Sequence, residues 1–174
     1  MLWTPGQRAC SAMSRPSSPQ HCILYAEDDE NDVFFLRRAF STVGIEQLLR
    51  VVKDGQTAIG YLDGEGIYSD RQTYPLPSIV LLDLQMPGCG GMDVLRWIRA
   101  TDALRGVVVI IFTSSHHPRD ILTAYELGAN SFVLKPVSVS DRAQFARELK
   151  AWWLHRNQVP IQWTPRQSGA ANRG

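Results

Sequence analysis

Charged side chains stand directly after three of the short apolar runs in the sequence. Glu27 and Asp28 follow one run, Asp83 follows another, and Lys135 follows the last. Clustered carboxylates repel one another and raise each other's pKa unless a cation lies among them. Mg2+ suits such a cluster, because it binds through one or two carboxylates and keeps positions for water and phosphate oxygens. These residues therefore predict Mg2+-dependent phosphate chemistry, with Lys135 placed to meet the phosphate.

Alternating apolar and amphipathic segments predict the elements that must hold these side chains. Continuous apolar runs indicate buried strands, and apolar residues at helical spacing, such as Val33, Leu36 and Phe40, indicate helices. Strands are predicted at 22–26, 49–53, 78–83, 106–113 and 131–134. Helices are predicted at 32–43, 56–62, 92–100, 118–127 and 138 to about 155, and 64–77 is predicted to be a loop.

Strict alternation of strands and helices predicts the fold class. It implies an α/β fold with a parallel sheet, helices on both faces and right-handed crossovers. We expect a flavodoxin-like, doubly wound sheet of five parallel strands in the order 2-1-3-4-5, with five helices. Ligands of such sheets bind beyond the carboxyl ends of the strands. The polar residues that this order brings toward one shallow cleft are Glu27, Asp28, Asp83, Thr113 and Lys135.

Length and composition limit the remaining possibilities. The 174 residues suit one domain, and 44% hydrophobic residues are enough to build a core without disulfides. A net charge of +1 gives no indication of nucleic acid or of an anionic membrane as partner. We expect one folded domain at 21–157, between disordered tails at 1–20 and 158–174 that are rich in polar residues.

Cysteine usage and hydropathy indicate the cellular compartment in which the protein is expected. Cys10, Cys22 and Cys89 form an odd set without metal-type spacing, which is typical of free thiols in a reducing cytosol. The sequence has no run of about 18 apolar residues, and its first 20 residues lack the apolar core of a signal peptide. We therefore expect a cytoplasmic protein without a membrane partner.

Four segments of the sequence, in this order and spacing, resemble the receiver domains of two-component response regulators. They are ILYAEDDENDV at 23–33, IVLLDLQMPGCGGMDVL at 79–95, VVIIFTSS at 108–115 and SFVLKPV at 131–137. Within this family, the segment VVKDGQTAIGYL at 51–62 and the tryptophan-rich end of the last helix resemble stand-alone receivers without an output domain. Such receivers are associated with cyanobacterial and bacterial phytochrome kinases.

The resemblance implies a phosphoacceptor and a metal site. Asp83 matches the aspartate that takes a phosphoryl group from a phosphohistidine of a sensor histidine kinase. Asp28 matches the direct carboxylate ligand of Mg2+, and Glu27 beside it is expected to act through water. Gln85 is expected to offer its backbone carbonyl to the metal, together with the carboxylate of Asp83. Whether Asp29 takes part is left open.

The resemblance also implies residues that bind the phosphoryl group and report its presence. Thr113 is expected to hydrogen-bond the phosphoryl group, and Lys135 is expected to pair with it. Thr113 and Phe132 match the switch pair of the family, and the phenyl ring of Phe132 lacks the hydroxyl that a tyrosine would provide. Gln85 and Ser115 are expected to flank the path of hydrolytic water and to tune the lifetime of the phosphoryl group.

The implied function is that of a bacterial signalling protein, rather than an enzyme, with only self-phosphorylation and autodephosphorylation as activities. Two alternatives stay open. One is a receiver-like docking module that works without phosphorylation. The other is a phosphohydrolase of the haloacid-dehalogenase type, whose nucleophilic aspartate is followed two residues later by a second aspartate. Gln85 occupies that position, which argues against the hydrolase.

The expected partners follow from the implied function. They are a sensor histidine kinase, with a phytochrome as the candidate that the resemblance suggests, and a downstream protein or phosphotransfer partner. No basic recognition helix is visible, so we expect no DNA binding by this chain. Trp152 and Trp153 are adjacent in the last helix and cannot both point inward. An exposed tryptophan there favours a homodimer formed through the C-terminal helix, and the alternative is that Trp153 folds back on the terminal tail.

Overall fold

The structure is a computed structural model that describes residues 21–157. The predicted disordered tails, at 1–20 and 158–174, lie outside the described residues, and so does Cys10. Among the described residues, none of the helices combines the length and the hydropathy that a membrane crossing requires.

Five parallel strands form one sheet in the order 2-1-3-4-5, which confirms the predicted topology. The strands are β1 (Ile23–Ala26), β2 (Leu49–Val52), β3 (Ile79–Leu82), β4 (Val108–Thr113) and β5 (Ser131–Leu134). Every residue of β1, β3 and β4 is buried, as expected of central strands covered on both faces. β1 pairs with β3 so that Ala26 lies opposite Leu82, and the next residues of both strands therefore emerge side by side.

Five α-helices alternate with the strands, as predicted: four connect consecutive strands, and the fifth follows β5. They are α1 (Glu30–Thr42), α2 (Gly55–Asp63), α3 (Gly91–Ala100), α4 (Pro118–Glu126) and α5 (Val139–Leu149), which continues as a π-helical segment (Lys150–Leu154). Short 3-10 turns lie at Glu46–Leu48, Gly66–Ser69 and Asp102–Leu104. The second turn lies within 64–77, so part of that segment is ordered as a helical turn rather than as the predicted loop.

The first helix begins two residues earlier than the hydrophobic spacing predicted. The side chain of Asp29 accepts a hydrogen bond of 2.7 Å from the backbone N–H of Asn31, which caps the helix at its N-terminus. This hydrogen bond lowers the pKa of Asp29. Asp32, the predicted first residue of this helix, lies within the first turn of α1.

Two apolar layers cover the sheet, one on each face. Side chains of α2, α3 and α4, including Tyr61 and Ile98, pack on one face. Side chains of α1 and α5, including Phe40 and Leu149, pack on the other face. These layers fix the strands and therefore the loops that follow their carboxyl ends.

The two adjacent tryptophans at the end of the chain's last helical segment differ in exposure, as their positions predicted. Trp152 is 60% exposed. Trp153 is half-buried and packs against the apolar layer beneath α1 and α5. The terminal tail, on which Trp153 could alternatively fold, lies outside the described residues.

Candidate functional site

Two adjacent strands deliver three carboxylates to one edge of the sheet. Glu27 and Asp28 follow β1, and Asp83 follows β3. The strand pairing extends past the ends of both strands: the Asp83 N–H donates to the Ala26 carbonyl at 3.1 Å, and the Glu27 N–H donates to the Val52 carbonyl at 3.0 Å. One carboxylate oxygen from each of Glu27, Asp28 and Asp83 lies within 4.8 Å of the others.

Lys135, which follows the edge strand β5, brings an ammonium group to these acids. Its backbone N–H donates to the Thr113 carbonyl at 2.8 Å, so β5 is held to β4 beyond its last residue. Its Nζ atom pairs with Glu27 Oε2, with Asp32 Oδ2 at 2.9 Å and with Asp83 Oδ1 at 3.3 Å. The three N–H donors of the ammonium group thus face three carboxylates.

The pKa of Lys135 records the balance of these contacts. Burial alone would lower the pKa, because it disfavours the charged form. The hydrogen bonds to Asp32 and Glu27 and the negative charge of Asp83 outweigh burial and raise the pKa of Lys135 to about 12. The side chain is only 9% exposed, so solvent screens these interactions little. Lys135 is therefore a fixed positive charge at neutral pH.

Glu27 is a buried acid held by three hydrogen-bond donors. It is 2% exposed. The hydroxyl of Tyr25 donates to Oε2 at 2.6 Å, the Lys135 ammonium contacts the same oxygen, and the Asp29 N–H donates to Oε1 at 3.1 Å. Burial raises the pKa of Glu27, and the hydrogen bonds from Lys135 and Tyr25 oppose that rise.

Asp83 is buried and oriented by the loop that follows it. Its side chain accepts a hydrogen bond of 2.8 Å from the backbone N–H of Gln85 at Oδ2, while Oδ1 is directed toward Lys135. The loop folds back so tightly that a Cβ atom on Gly91 would lie 2.2 Å from the Asp83 carbonyl oxygen. Only glycine fits there without displacing the backbone of Asp83.

The cleft that these residues form is polar throughout. Five acidic residues and one lysine line it, and Gln85 and Ser114 complete the lining. The residues that line the cleft are Glu27, Asp28, Asp29, Asp32, Asp83, Gln85, Ser114 and Lys135. The cleft thus contains all the residues that were predicted as metal ligands. It also contains Lys135, which was predicted to pair with the phosphoryl group.

The two predicted switch residues lie outside this lining. Thr113 is fully buried at the end of β4, and its Oγ1 atom accepts a hydrogen bond of 3.3 Å from the Ser115 N–H. Ser114, the next residue, lines the cleft in its place. Phe132 is half-buried on β5 and packs against the apolar layer beneath α2, α3 and α4.

Three residues of the site were not identified from the sequence. Asp32 contacts Lys135, and Arg142 of α5 lies 3.8 Å from Asp32 and 4.1 Å above the ring of Phe35. Tyr25 donates a hydrogen bond to Glu27 from within a strand, where a tyrosine is most simply explained as a core residue. A signal for Asp32 existed in the sequence, since an acid in the first turn of the helix after β1 points to the same edge of the sheet.

The set of ligand atoms favours a hard divalent cation. Carboxylate oxygens from Glu27, Asp28 and Asp83 can reach a common ion, and oxygen ligands of this kind suit Mg2+. Asp29 lines the cleft, but its carboxylate is engaged as the cap of α1 and is not part of the three-residue cluster. The residues present therefore fit the predicted cation.

The chain is similar to known proteins along most of its length. The family of response regulator receiver domains matches residues 23–147. The chain is 30% identical over 148 residues to the response regulator Rcp1 of Synechocystis sp., covering 85% of this chain and 99% of Rcp1. The crystal structure of the Mn2+-bound form of Rcp1 is similar, with a TM-score of 0.71 at 28% identity over 80% of this chain and 99% of that one.

Two further solved structures are similar over nearly their whole length. The phosphorylated cyanobacterial phytochrome response regulator RcpA has a TM-score of 0.73 at 28% identity, covering 80% of this chain and 99% of RcpA. The response regulator RPA3017, in red light signalling of R. palustris, has a TM-score of 0.76 at 34% identity, covering 82% of this chain and 99% of RPA3017.

The chain therefore belongs to the family of response regulator receiver domains, a family of signalling proteins. The predicted resemblance to stand-alone and phytochrome-associated receivers is confirmed by the similarity to Rcp1 and RcpA.

Proposed function

We propose that this protein is a single-domain response regulator that accepts a phosphoryl group from a sensor histidine kinase on Asp83 in a Mg2+-dependent reaction. The observation that supports this function most strongly is the convergence of Glu27, Asp28 and Asp83 on one point with Lys135 facing them. The proposed activity is limited to self-phosphorylation and loss of the phosphoryl group, so the protein is a signalling component rather than an enzyme.

In the proposed reaction, a carboxylate oxygen of Asp83 attacks the phosphorus of a phosphohistidine. A P–O bond forms as the P–N bond breaks, and the electron pair of the broken bond leaves with the imidazole. The Gln85 N–H holds Asp83 Oδ2 at 2.8 Å and so fixes the orientation of the nucleophile. Lys135 offsets the charge of the phosphoryl oxygens. Glu27, Asp28 and Asp83 would hold Mg2+, which would supply positive charge that offsets the charge of the phosphate.

The proposed switch involves Thr113 and Phe132. A phosphoryl group on Asp83 adds a charge of about −1.5 to −2. In this scheme the Thr113 hydroxyl turns from the Ser115 N–H toward a phosphoryl oxygen, and the phenyl ring of Phe132 moves into the space that Thr113 leaves. The surface formed by α4, β5 and α5 then differs between the two states, and a downstream protein or phosphotransfer partner reads the difference.

The experiment that tests the phosphoacceptor is incubation with Mg2+ and a small acyl phosphate, followed by intact-mass measurement. We expect one added phosphoryl group on the wild-type protein and none on Asp83→Asn or in EDTA. Asp102→Asn is the matched control, because Asp102 is an exposed acid outside the cleft that pairs with the exposed Arg105. An unmodified wild-type protein would favour the docking module, and rapid turnover of phosphate esters would favour the hydrolase.

We also propose that the phosphoryl donor is a phytochrome kinase, on the strength of the similarity to RcpA and RPA3017. The test is transfer of radiolabelled phosphate from a purified bacterial phytochrome kinase, compared with transfer from histidine kinases of unrelated sensors. Transfer at least as fast from the unrelated kinases would refute this assignment.

A homodimer formed through the C-terminal helical segment is the proposed assembly. Trp152 supports it, because this large apolar side chain is 60% exposed on that segment. Light scattering should show a dimer for the wild-type protein and a monomer for Trp152→Ser. Ile67→Ser is the control, since Ile67 is 69% exposed on a different part of the surface. A wild-type monomer, or a dimer that survives Trp152→Ser, would rule out this assembly.

A further inference from the structure

Tyr25 is a fully buried tyrosine whose hydroxyl reaches the acidic cleft. It lies in the middle of β1 with Val51 and Leu81 as its neighbours on the adjacent strands. Its ring packs edge-on against Phe112, with 5.9 Å between ring centroids. A phenylalanine would keep this ring contact, so packing alone does not call for a hydroxyl.

The hydroxyl of Tyr25 has one hydrogen-bond partner among the described residues, and that partner is Glu27. Residues two apart in a strand point to the same face of the sheet, which places the two side chains together. The distance from the hydroxyl to Glu27 Oε2 is 2.6 Å, as expected of a strong bond to a carboxylate. A buried tyrosine needs such a partner, and here the partner is a candidate metal ligand.

The other two donors to Glu27 are less suited to fix it. Lys135 contacts Oε2 but also pairs with Asp32 and Asp83, and in the proposed reaction it must turn toward a phosphoryl group. The Asp29 N–H donates to Oε1 from the exposed turn before α1, at a longer distance of 3.1 Å. Of the three donors, Tyr25 is the one that is fully buried in the sheet and, among the described residues, bonded to Glu27 alone.

We propose that Tyr25 is a positioning residue, which holds Glu27 in the orientation in which it supports Mg2+ through water beside Asp28 and Asp83, and thereby favours Mg2+ over Ca2+. This inference rests on the proposed function. Mg2+ demands near-octahedral geometry at about 2.0–2.1 Å, whereas Ca2+ accepts irregular sets of six to eight oxygens at about 2.3–2.6 Å. A carboxylate that can rotate therefore harms Mg2+ binding more than Ca2+ binding.

The test is calorimetric titration of Mg2+ and, separately, of Ca2+ into the wild-type protein and Tyr25→Phe. Loss of a hydrogen bond that orients a ligand costs about 10-fold or more in metal affinity, so we expect the Kd for Mg2+ to rise about 10-fold. The Kd for Ca2+ should rise much less, so that the preference for Mg2+ falls. A general loss of stability would not change the ratio of the two affinities, because both are measured on the same folded protein.

Tyr61→Phe is the matched control. Tyr61 is equally buried, and its hydroxyl donates to the Pro75 carbonyl at 3.0 Å on the opposite face of the sheet. Both affinities should be those of the wild type in this variant. Unchanged Mg2+ affinity in Tyr25→Phe, or equal losses for both ions, would overturn the inference while leaving the proposed function intact. A wild-type protein that binds neither ion would instead refute the metal site itself, and the inference with it.

Discussion

Replacing Lys135 with methionine should lower the free energy of unfolding, and Mg2+ should restore part of the loss. The substitution keeps the apolar stem of the side chain and removes its charge. It leaves Glu27, Asp32 and Asp83 without the ammonium group that lies among them. Because Glu27 and Asp83 are 2% and 4% exposed, water can stabilise their charges only poorly.

The size of the effect follows from two quantities. The rise of the Lys135 pKa from 10.5 to about 12 corresponds to about 2 kcal/mol of net favourable interaction for the ammonium form. Removing one partner of a buried ion pair also leaves the other charge uncompensated, which brings typical losses to about 3–5 kcal/mol. We therefore expect the free energy of unfolding to fall by about 3 kcal/mol at pH 7 in the absence of Mg2+.

The assay is urea unfolding followed by circular dichroism, at pH 7 with EDTA and at pH 7 with Mg2+. Bound Mg2+ supplies the missing positive charge, so the loss should shrink when Mg2+ is present. Lys53→Met is the control: Lys53 pairs with Glu30 at 3.0 Å, but both side chains are largely exposed, and the loss should be at most about 1 kcal/mol. Two outcomes would contradict the proposed role of Lys135. One is an equal loss of unfolding free energy in the two variants, and the other is a loss in Lys135→Met that is the same with and without Mg2+.

Three further predictions concern the same edge of the sheet. Gly91→Ala should lower the free energy of unfolding by about 1–3 kcal/mol in a urea titration, because its Cβ would lie 2.2 Å from the Asp83 carbonyl oxygen. Gly60→Ala, whose Cβ meets nothing closer than 3.7 Å, should not lower it. Mg2+ should raise the Tm of the wild-type protein but not that of Asp28→Asn, and equal shifts would contradict the assignment of Asp28 as a ligand. Because the folded-state pKa of Lys135 is raised, its stabilisation is present below pH 10.5 and lost as the pH rises through about 12. The difference in unfolding free energy between the wild type and Lys135→Met should therefore narrow over that range, and a constant difference would contradict the raised pKa.

Much of the fold could be predicted because the central strands are apolar on both faces. The run at 79–82 has no polar residue until Asp83, and only a covered parallel sheet accepts such a run. Helix bounds were less predictable. The start of α1 depends on the hydrogen bond from Asn31 to Asp29, and apolar spacing does not report a cap. The turn at Gly66–Ser69 is only four residues long, which is too short for a helical periodicity to show.

Some residues of the candidate site could also be predicted from the sequence, and others could not. Residues directly after strands, such as Asp28, Asp83 and Lys135, could be placed because parallel strands bring their carboxyl ends to one edge. Tyr25 could not, because a tyrosine within a strand is most simply explained by packing. Arg142 lies on α5, and its approach to Asp32 depends on how α5 packs against α1, which no local pattern specifies.

The most direct test of the metal site is an anomalous difference map from crystals grown with Mn2+ in place of Mg2+. We expect one strong peak in the cleft, in direct contact with the carboxylates of Asp28 and Asp83 and with the Gln85 carbonyl oxygen. Glu27 and Lys135 should lie beside it. A cleft without a peak at saturating Mn2+, or a peak bound by residues outside this set, would contradict the proposed metal site.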